Sequence, residues 1–389
     1  MTKKLLNALF VGAVLLVLLA GLAKTLFFPE EINEYENRYA EQIEPPTLSA
    51  FLDGSFQESM DGALSDQVPF STTCKRLYNS LRSAFRSALL SPILEQTSYF
   101  YVTLTDKIQL FGGEYLVYPT YELEDLKKDL SDTADSHSRM AASHPDTEFY
   151  FYYIEKDVDV NFETGAQLLA YDYLREHLTV PADHIGSFPV PNFNTYREFF
   201  YRTDHHWNHA GSYGGYLALV ELLGISEPAL EPVDTVTVGN FSGSKAAQAA
   251  GSYLESFVAH RFDFPAMTIT VNGRRAEDYG NQAAFLDGSA AASLTYGHFY
   301  GGDYGEVILD TGTTGRGSLL VIGESHDNAV LKLLASHYDS THAIDLRNYE
   351  HDMGAPFDLG TYLEQHGIDT VLFIGSVGFY TSETFRLEG

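Results

Sequence analysis

The chain has 389 residues, of which 53 are acidic and 24 are lysine or arginine, giving a formal net charge of −29. This charge argues against a nucleic-acid-binding protein, because the phosphates would be repelled. The single cysteine excludes an intramolecular disulfide and a thiolate metal cluster within one chain. The length allows one large domain or two modest ones with a sizeable core.

Residues 1–28 are predicted to anchor the chain in a membrane. Leu5 to Ala23 is apolar apart from Asn7, and Lys3 and Lys4 precede it. At about 1.5 Å per residue the run reaches roughly 28 Å, close to one hydrocarbon core. The two lysines should stay cytoplasmic, so the remainder is exported. A cleaved signal peptide is the alternative. We expect a single-pass protein whose main domain lies outside the cytoplasm.

The rest of the chain is predicted to be an acidic connector and one main domain. The connector covers residues 29–50, which are polar and acidic, and the main domain covers residues 51–389. Its first part, 51–115, has the pattern of a helical and hairpin prelude. Residues 235–315 are rich in Gly, Ala, Ser and Asp and lack a long apolar run. We interpret them as a loop-rich insertion with short strands.

Apolar runs in the main domain predict a central sheet. Glu148 to Ile154 is a continuous aromatic run, too short for most helices, and such a run is typical of a strand buried on both faces. Three later runs have the same character and alternate with helix candidates. This alternation predicts an α/β domain of three layers, with a mostly parallel sheet covered by helices on both sides. The later strands are 319–322, 341–346 and 370–374, and the helices are 121–142, 211–223, 326–337 and 359–366.

Residues 203–208, Thr-Asp-His-His-Trp-Asn, place an acid and a histidine two residues apart. In an extended segment such residues point to the same side, so Asp204 would orient His206 while His205 points away. Two alternatives are a divalent metal held by Asp204, His205 and His209, and a polar cap on the helix that follows, formed by Asp204 or the asparagine. We favour the triad, because a cap does not explain two histidines and the only tryptophan of the chain in four residues.

Residues 323–326, Gly-Glu-Ser-His, supply the nucleophile of this triad. They follow a strand candidate and precede a helix candidate, so Ser325 would stand at the carboxyl edge of the sheet, where open α/β sheets bind ligands. The backbone N–H groups of Ser325 and His326 could stabilise an oxyanion. Serine needs an adjacent base, and the base needs an orienting group. Asp204, His206 and Ser325 therefore predict a serine-dependent acyl-transfer enzyme, with no cofactor and no metal.

These residues together resemble the DHHW family of the SGNH hydrolase-like superfamily, which is similar to the O-acetylation proteins of bacterial alginate export. Residues 203–208 carry most of the resemblance, and Phe241-Ser-Gly-Ser244 and Asp345-Leu-Arg347 agree with it. The resemblance implies an SGNH-like (flavodoxin-like) domain with the same triad. It also implies O-acetyl transfer to an exported polysaccharide or cell-wall glycan at the bacterial cell membrane, with a membrane-bound O-acyltransferase as donor partner.

The alternatives to transfer are a glycan O-acetyl esterase with the same triad and a non-catalytic glycan-binding or assembly protein. The second is favoured by a departure from the family, which tends to have Gly-Asn where this chain has Gly302-Asp303. Asparagine can donate to an oxyanion, whereas an ionised aspartate cannot. Asp303 paired with a cation would indicate that this segment is not the oxyanion hole.

Five residues are candidates for oxyanion or substrate binding. Arg347 ends a predicted strand at the same sheet edge as the nucleophile. It either steadies an oxyanion or substrate carboxylate or forms an ion pair with Asp345 or Glu350, and we hold the two equal. The full set of candidates is Gly302, Asp303, His326, Arg347 and Trp207.

Overall fold

The computed structural model describes residues 3–28, 32–33, 38–39, 43, 46–67, 77, 81, 100–249, 253–290 and 292–387. It contains two compact units: Met1–Leu94 with Ala246–Ser252, and Glu95–Lys245 with Tyr253–Gly389. The predicted division into anchor, connector and main domain stays a prediction.

The strands are, in chain order, β1 Ile32–Asn33, β2 Arg38–Tyr39, β3 Val102–Thr103, β4 Gln109–Phe111, β5 Tyr115–Val117, β6 Glu148–Ile154, β7 Ile185–Phe188, β8 Asp234–Phe241, β9 Glu255–Arg261, β10 Thr268–Val271, β11 Arg274–Ala276, β12 Glu306–Asp310, β13 Ser318–Gly323, β14 Ser340–Ile344 and β15 Thr370–Gly375. The α-helices are Lys3–Phe27, Leu48–Asp53, Ser55–Gln67, Leu123–Ser143, Ala170–His177, Phe193–Phe199, His209–Leu222, Ser244–Gln248, Gln282–Asp287, Tyr296–Tyr300, Leu331–Ala335, Tyr349–Met353, Leu359–His366 and Val377–Thr381.

The first unit is mainly helical in its described part. Thr47 caps the helix Leu48–Asp53, since its hydroxyl accepts from the N–H of Ala50 at 3.1 Å, and Gly54 ends that helix with a φ of 91°. The strands β1 and β2 form a short antiparallel pair. In the described residues, no helix combines the length and the apolarity needed to cross a membrane. The predicted anchor therefore stays a prediction.

The second unit is built around an eight-stranded sheet in the order β11-β10-β12-β14-β13-β15-β6-β7. The five strands from β14 to β7 run parallel, and β12, β10 and β11 extend the sheet antiparallel at one edge. The predicted α/β class with a mostly parallel sheet is confirmed. The antiparallel strands come from residues 235–315, which therefore contribute more than loops to the sheet.

Alternate residues of the central strands enter two different cores. In β6, Tyr150, Tyr152 and Ile154 face one core, whereas Phe149, Phe151 and Tyr153 face the other. This is why the run is apolar throughout, since both faces of the strand are covered. The first core is covered by helices His209–Leu222 and Leu331–Ala335. The second core is covered by helices Leu123–Ser143, Ala170–His177, Leu359–His366 and Val377–Thr381.

The predicted strands at 148–154, 319–322, 341–346 and 370–374 are confirmed to within two residues. The helix predicted over 326–337 is wrong as one element. It is a 3₁₀ turn over Asp327–Ala329 followed by the helix Leu331–Ala335, and the break falls at Val330, whose φ is −105°. The consequence is local, because Ser325 still follows the carboxyl end of β13.

Candidate active site

A short loop, residues 201–208, carries Asp204 and His206 between two helices. Phe200 and Trp207 form an antiparallel bridge across its ends. The loop is a series of bends rather than the extended segment that we predicted, because this bridge folds it back on itself. Asp204 and His206 nevertheless face each other.

Asn208 caps the helix His209–Leu222. Its side-chain oxygen accepts from the N–H of Ala210 at 2.9 Å and from that of Gly211 at 3.1 Å. The polar-cap interpretation therefore holds for Asn208 and leaves Asp204 for another role.

Asp204, His206 and Ser325 form a continuous hydrogen-bonded chain, which we call the triad. Asp204 Oδ1 accepts from His206 Nδ1 at 2.5 Å and from the backbone N–H of His206 at 3.0 Å. His206 Nε2 lies 2.7 Å from the Oγ of Ser325. With the Nδ1 proton directed to Asp204, Nε2 is left to accept from the serine hydroxyl. The predicted contact is confirmed, and the catalytic roles of these residues stay a prediction.

Asp204 is held from a second side by the backbone of residues 243–244. The N–H of Ser244 donates to Asp204 Oδ2 at 2.7 Å. A Cβ on Gly243 would lie 2.4 Å from the Cβ of Asp204 and 2.5 Å from the carbonyl oxygen of Thr203. Only glycine therefore allows the chain to approach closely enough for this hydrogen bond.

Lys245 anchors this segment and is fully buried. Its Nζ donates to Asp157 Oδ2 at 2.6 Å and to the hydroxyl of Tyr196 at 2.7 Å. It also lies over the rings of Tyr118 and Tyr196, 5.0 and 5.3 Å from their centroids. A buried ammonium needs such partners, because burial removes its hydration. The chain is thus fixed directly after the residue that holds Asp204.

Ser325 lies two residues beyond β13 and is partly exposed. The indole N–H of Trp207 donates to the carbonyl of His326 at 3.1 Å, so the turn that carries the serine is tied to the loop that carries its base. In the described part of the chain, the backbone N–H groups of Ser325 and His326 donate to no other group. Both are therefore free for the oxyanion role predicted for them.

Tyr296 packs on the face of the His206 imidazole. The ring centroids are 3.7 Å apart and the planes differ by 2°. Tyr296 is buried on the short helix Tyr296–Tyr300. The stack limits rotation of the imidazole, so His206 keeps both of its hydrogen bonds.

Burial and the charges of neighbouring residues set the protonation of Asp204 and of the two histidines beside the triad. Burial alone would raise the pKa of Asp204, but His206 holds it well below its ordinary range, so Asp204 is ionised. Burial lowers the pKa of His205 well below its ordinary value and that of His326 to about 4. Both are neutral at pH 7. His205 directs its Nδ1 to the Ser244 hydroxyl at 2.6 Å, rather than to the nucleophile.

Arg347 is already occupied by carboxylates. Its Nη2 lies 2.5 Å from Asp345 Oδ2 and 3.0 Å from Asp303 Oδ2. The ion-pair alternative is therefore supported, with Asp303 instead of Glu350 as the second acid. Gly302 and Asp303 line a cavity with three further carboxylates, those of Glu324, Asp327 and Asp345.

Asp303 is paired with the cation Arg347, so its side chain is not supported as an oxyanion donor. The role of Gly302 stays a prediction. Trp207 is fully buried and cannot touch a substrate, which corrects its place among the binding candidates. His326 is also buried, and its backbone N–H alone keeps a candidate role.

Asp204, His205 and His206 each offer one metal-ligand atom within 4.8 Å of the others. The same atoms of Asp204 and His206 already form the hydrogen bonds of the triad, so a bound metal ion would have to disrupt those bonds. His209, the third ligand of the metal set predicted from the sequence, lies instead against His260, with ring centroids 4.8 Å apart. The geometry favours the triad.

Sequence reasoning missed several residues that shape this site. Tyr296 is one of 26 tyrosines, and no spacing marks it out. Lys245 directly follows Phe241-Ser-Gly-Ser244, which we had cited only for a family resemblance. Lys156 lies two residues beyond β6, at the same sheet edge as Ser325. A search for charged residues just after predicted strands would have found Lys156, but it would not have shown which of the described residues the ammonium contacts.

One protein-family model matches part of the chain. The sequence model of the DHHW protein family matches residues 171–344, a span that contains all three triad residues. The resemblance to this family is confirmed. No curated protein sequence matches the chain.

Solved structures share the fold. PatB1 of Bacillus cereus is 18% identical, with 74% of this chain and 99% of PatB1 covered at a TM-score of 0.55. PatB1 with a sulfonyl adduct gives 19% identity, 75% and 100% coverage and a TM-score of 0.55. A DHHW family protein from Eubacterium siraeum is 16% identical, with 73% of this chain and 95% of that protein covered at a TM-score of 0.57. At these identities the likeness establishes the fold alone.

Proposed function

We propose that this protein is a serine-dependent O-acyltransferase that moves an acetyl group to an extracytoplasmic glycan. The observation that carries the proposal is the unbroken chain of hydrogen bonds from Asp204 through His206 to Ser325. An ionised acid, an imidazole that it orients and a partly exposed hydroxyl are the three parts that activate serine. The acetyl group and the glycan come from the DHHW resemblance.

In the first half of the reaction, Ser325 Oγ attacks the carbonyl carbon of an acetyl ester and gives its proton to His206 Nε2. Asp204 stabilises the imidazolium that forms. The negatively charged carbonyl oxygen accepts hydrogen bonds from the backbone N–H groups of Ser325 and His326. The intermediate collapses when His206 returns the proton to the leaving alcohol, and the acetyl group stays on Ser325.

In the second half, His206 removes the proton from a glycan hydroxyl, which attacks the acetyl-serine carbonyl. The same two N–H groups receive the oxyanion, and the serine hydroxyl is restored with the proton that His206 carries. With water in place of the glycan, the same steps make the protein a glycan O-acetyl esterase. This second function is favoured by the partial exposure of Ser325, which gives water access to the ester.

The setting of the reaction is part of the proposal. The apolar N-terminal segment behind two lysines supports a membrane anchor with the α/β unit outside the cytoplasm. The DHHW resemblance supports a membrane-bound O-acyltransferase as the acetyl donor and an exported polysaccharide or cell-wall glycan as the acceptor.

The test is hydrolysis of para-nitrophenyl acetate by the purified full-length protein. Ser325→Ala should lower kcat at least about a thousandfold, because it removes the nucleophile. The matched control is Ser376→Ala, a buried serine just beyond the neighbouring strand β15. It should keep activity within a few-fold.

A second measurement identifies the nucleophile. PatB1, which shares the fold, is known with a sulfonyl adduct, and sulfonyl fluorides react with base-activated nucleophiles. Methanesulfonyl fluoride should label Ser325 in the wild type and should not label this position in His206→Ala. Equal turnover by wild type and Ser325→Ala, without labelling of Ser325, would contradict the proposed function.

A further inference from the structure

Lys156 is a cation at the sheet edge of the proposed active site, and within the described residues its ammonium forms no ion pair or hydrogen bond. It lies two residues beyond the end of β6, and Ser325 lies two residues beyond the end of β13. These strands are parallel and are separated only by β15, so they are about 10 Å apart. Both residues therefore stand at the carboxyl edge of the sheet, where ligands of open α/β sheets bind.

The carboxylates that flank Lys156 in sequence are all engaged elsewhere. Glu155 accepts from the N–H of Val190 at 2.7 Å. Asp157 pairs with the buried Lys245. Asp159 accepts from the hydroxyl of Tyr153 at 2.6 Å, and from the backbone N–H of Lys156, not its ammonium, at 2.9 Å. Those nearest acids therefore do not neutralise Lys156.

More distant acids do not neutralise it either. Among the residues that the structure describes, no carboxylate forms an ion pair with the Lys156 ammonium, and the side chain is half-buried. Its charge still reaches the site. Burial lowers the pKa of His326 and of His205, and the Lys156 charge is a smaller cause that lowers both further. Burial raises the pKa of Glu324, but His326 and, to a smaller extent, Lys156 hold it well below its ordinary value. These three residues directly flank Ser325 and His206 in the chain.

Arg347, unlike Lys156, is already paired with carboxylates. Arg347 was the cation predicted from the sequence to bind a substrate carboxylate, but Asp345 and Asp303 occupy it. In a chain of net charge −29, an anionic ligand is repelled by most of the surface. The Lys156 ammonium would instead attract an anionic ligand, and a charge-assisted hydrogen bond there would stabilise the complex.

We propose that the Lys156 ammonium binds a carboxylate on the alcohol part of the substrate, beside Ser325. The alcohol part is the acceptor glycan in transfer and the leaving group in ester cleavage, which occupy the same position by microscopic reversibility. The inference rests on the proposed function and narrows its substrates to glycans that carry a carboxylate near the acetylated hydroxyl.

The experiment compares two chromogenic esters that differ by one charge. They are para-nitrophenyl acetate and its analogue with a carboxylate on the phenyl ring, given to the full-length protein. Lys156→Gln should lower kcat/KM for the carboxylated ester about tenfold through a higher KM, the size of one charge-assisted hydrogen bond. The effect on the neutral ester should be much smaller, because that ester has no carboxylate to lose a partner.

Two further variants separate binding from a structural role. Lys156→Arg keeps the charge and should keep the preference for the carboxylated ester within a few-fold. Lys107→Gln removes an exposed lysine from the turn between β3 and β4 and should change neither ester. Added salt should weaken the preference in the wild type, because it screens the ion pair.

The outcomes distinguish this proposal from the proposed function. If Ser325→Ala abolishes hydrolysis but Lys156→Gln acts equally on both esters, the carboxylate site is wrong and the triad stands. If Ser325→Ala has no effect, the proposed function fails. The carboxylate site is then judged by calorimetric titration of the two phenol products into wild type and Lys156→Gln, and equal affinities would overturn it.

Discussion

Asp204 and the two histidines that follow it show how neighbours in sequence acquire different chemistry. Asp204 accepts three hydrogen bonds on its two oxygens, two from His206 and one from Ser244. His206 directs its other ring nitrogen to Ser325 and lies under Tyr296. His205, although its ring is only 3.8 Å from that of His206, turns to the Ser244 hydroxyl. The partners of each ring decide which histidine is the base.

We therefore expect the two histidines to differ sharply when replaced. His206→Ala removes the proton acceptor and should lower kcat for para-nitrophenyl acetate at least about a thousandfold. His205→Ala removes one hydrogen bond to Ser244 and should cost about tenfold or less. Steady-state kinetics of both variants, with thermal melting to confirm folding, measures the difference.

Equal losses would contradict this assignment. They would revive the metal interpretation, in which Asp204 and both histidines are ligands. Metal analysis of the purified protein and a chelator titration would then separate the two mechanisms, because a triad is indifferent to chelators.

At the scale of elements, the triad depends on a segment distant in sequence. Residues 241–245 run past the loop 201–208 so closely that Gly243 cannot carry a side chain. Lys245 fixes one side of this contact through Asp157. Glu255, at the start of β9, fixes the other through the N–H and hydroxyl of Thr203, both at 2.6 Å. The position of Asp204 is thus set by backbone packing as much as by its own hydrogen bonds.

Gly243→Ala should for this reason impair catalysis without touching any triad side chain. The added methyl group must push residues 243–244 away from Asp204, so the N–H of Ser244 leaves Asp204 Oδ2. We expect kcat to fall about tenfold to a hundredfold, with a lower melting temperature, since a forced repacking typically costs about 1–3 kcal/mol.

The control for this variant is Gly214→Ala in the helix His209–Leu222. Its added methyl group meets only Phe188 at an ordinary 3.5 Å, and alanine favours a helix over glycine. Activity and melting temperature should be kept or slightly raised. A Gly243→Ala protein with wild-type kcat would show that the Ser244 hydrogen bond does not position Asp204.

The elements that could be predicted from the sequence are strands that are buried on both faces and therefore consist of apolar residues. The strands β6, β13 and β15 are apolar on both faces, so their central position in the sheet can be predicted from the sequence. The strand β12 has polar Glu306 and Asp310 at its ends and was assigned to a loop-rich insertion. The pairing of Arg347 with Asp303, 44 residues away, depends on tertiary packing that no local pattern encodes.

The whole molecule is strongly acidic, and some of its acidic residues are buried. The net charge of −29 favours solubility and opposes compaction. Several acids nevertheless lie inside the α/β unit, among them Asp157, Asp159, Asp204 and Asp327. Asp157 has Lys245 as a cationic partner. Asp159 accepts hydrogen bonds from Tyr153 and from a backbone N–H, and it forms no ion pair with any residue in the described part of the chain. The charge state of such an acid makes folding depend on pH.

Asp159 should make the protein less stable as the pH rises. Burial raises its pKa to about 7, whereas an unfolded aspartate has a pKa of about 3.9. Between these values the folded state keeps a proton that the unfolded state has released. The stabilising contribution is therefore fully present below about pH 4 and is lost as the pH rises through about 7. The pKa difference of about three units corresponds to about 4 kcal/mol at most.

Asp159→Asn removes this titration, so its free energy of unfolding relative to wild type should increase steadily from pH 5 to pH 7 in urea titrations. The exposed Asp106→Asn, in the turn between β3 and β4, should run parallel to wild type. A constant difference between Asp159→Asn and wild type across this range would show that Asp159 is ionised in the folded protein throughout.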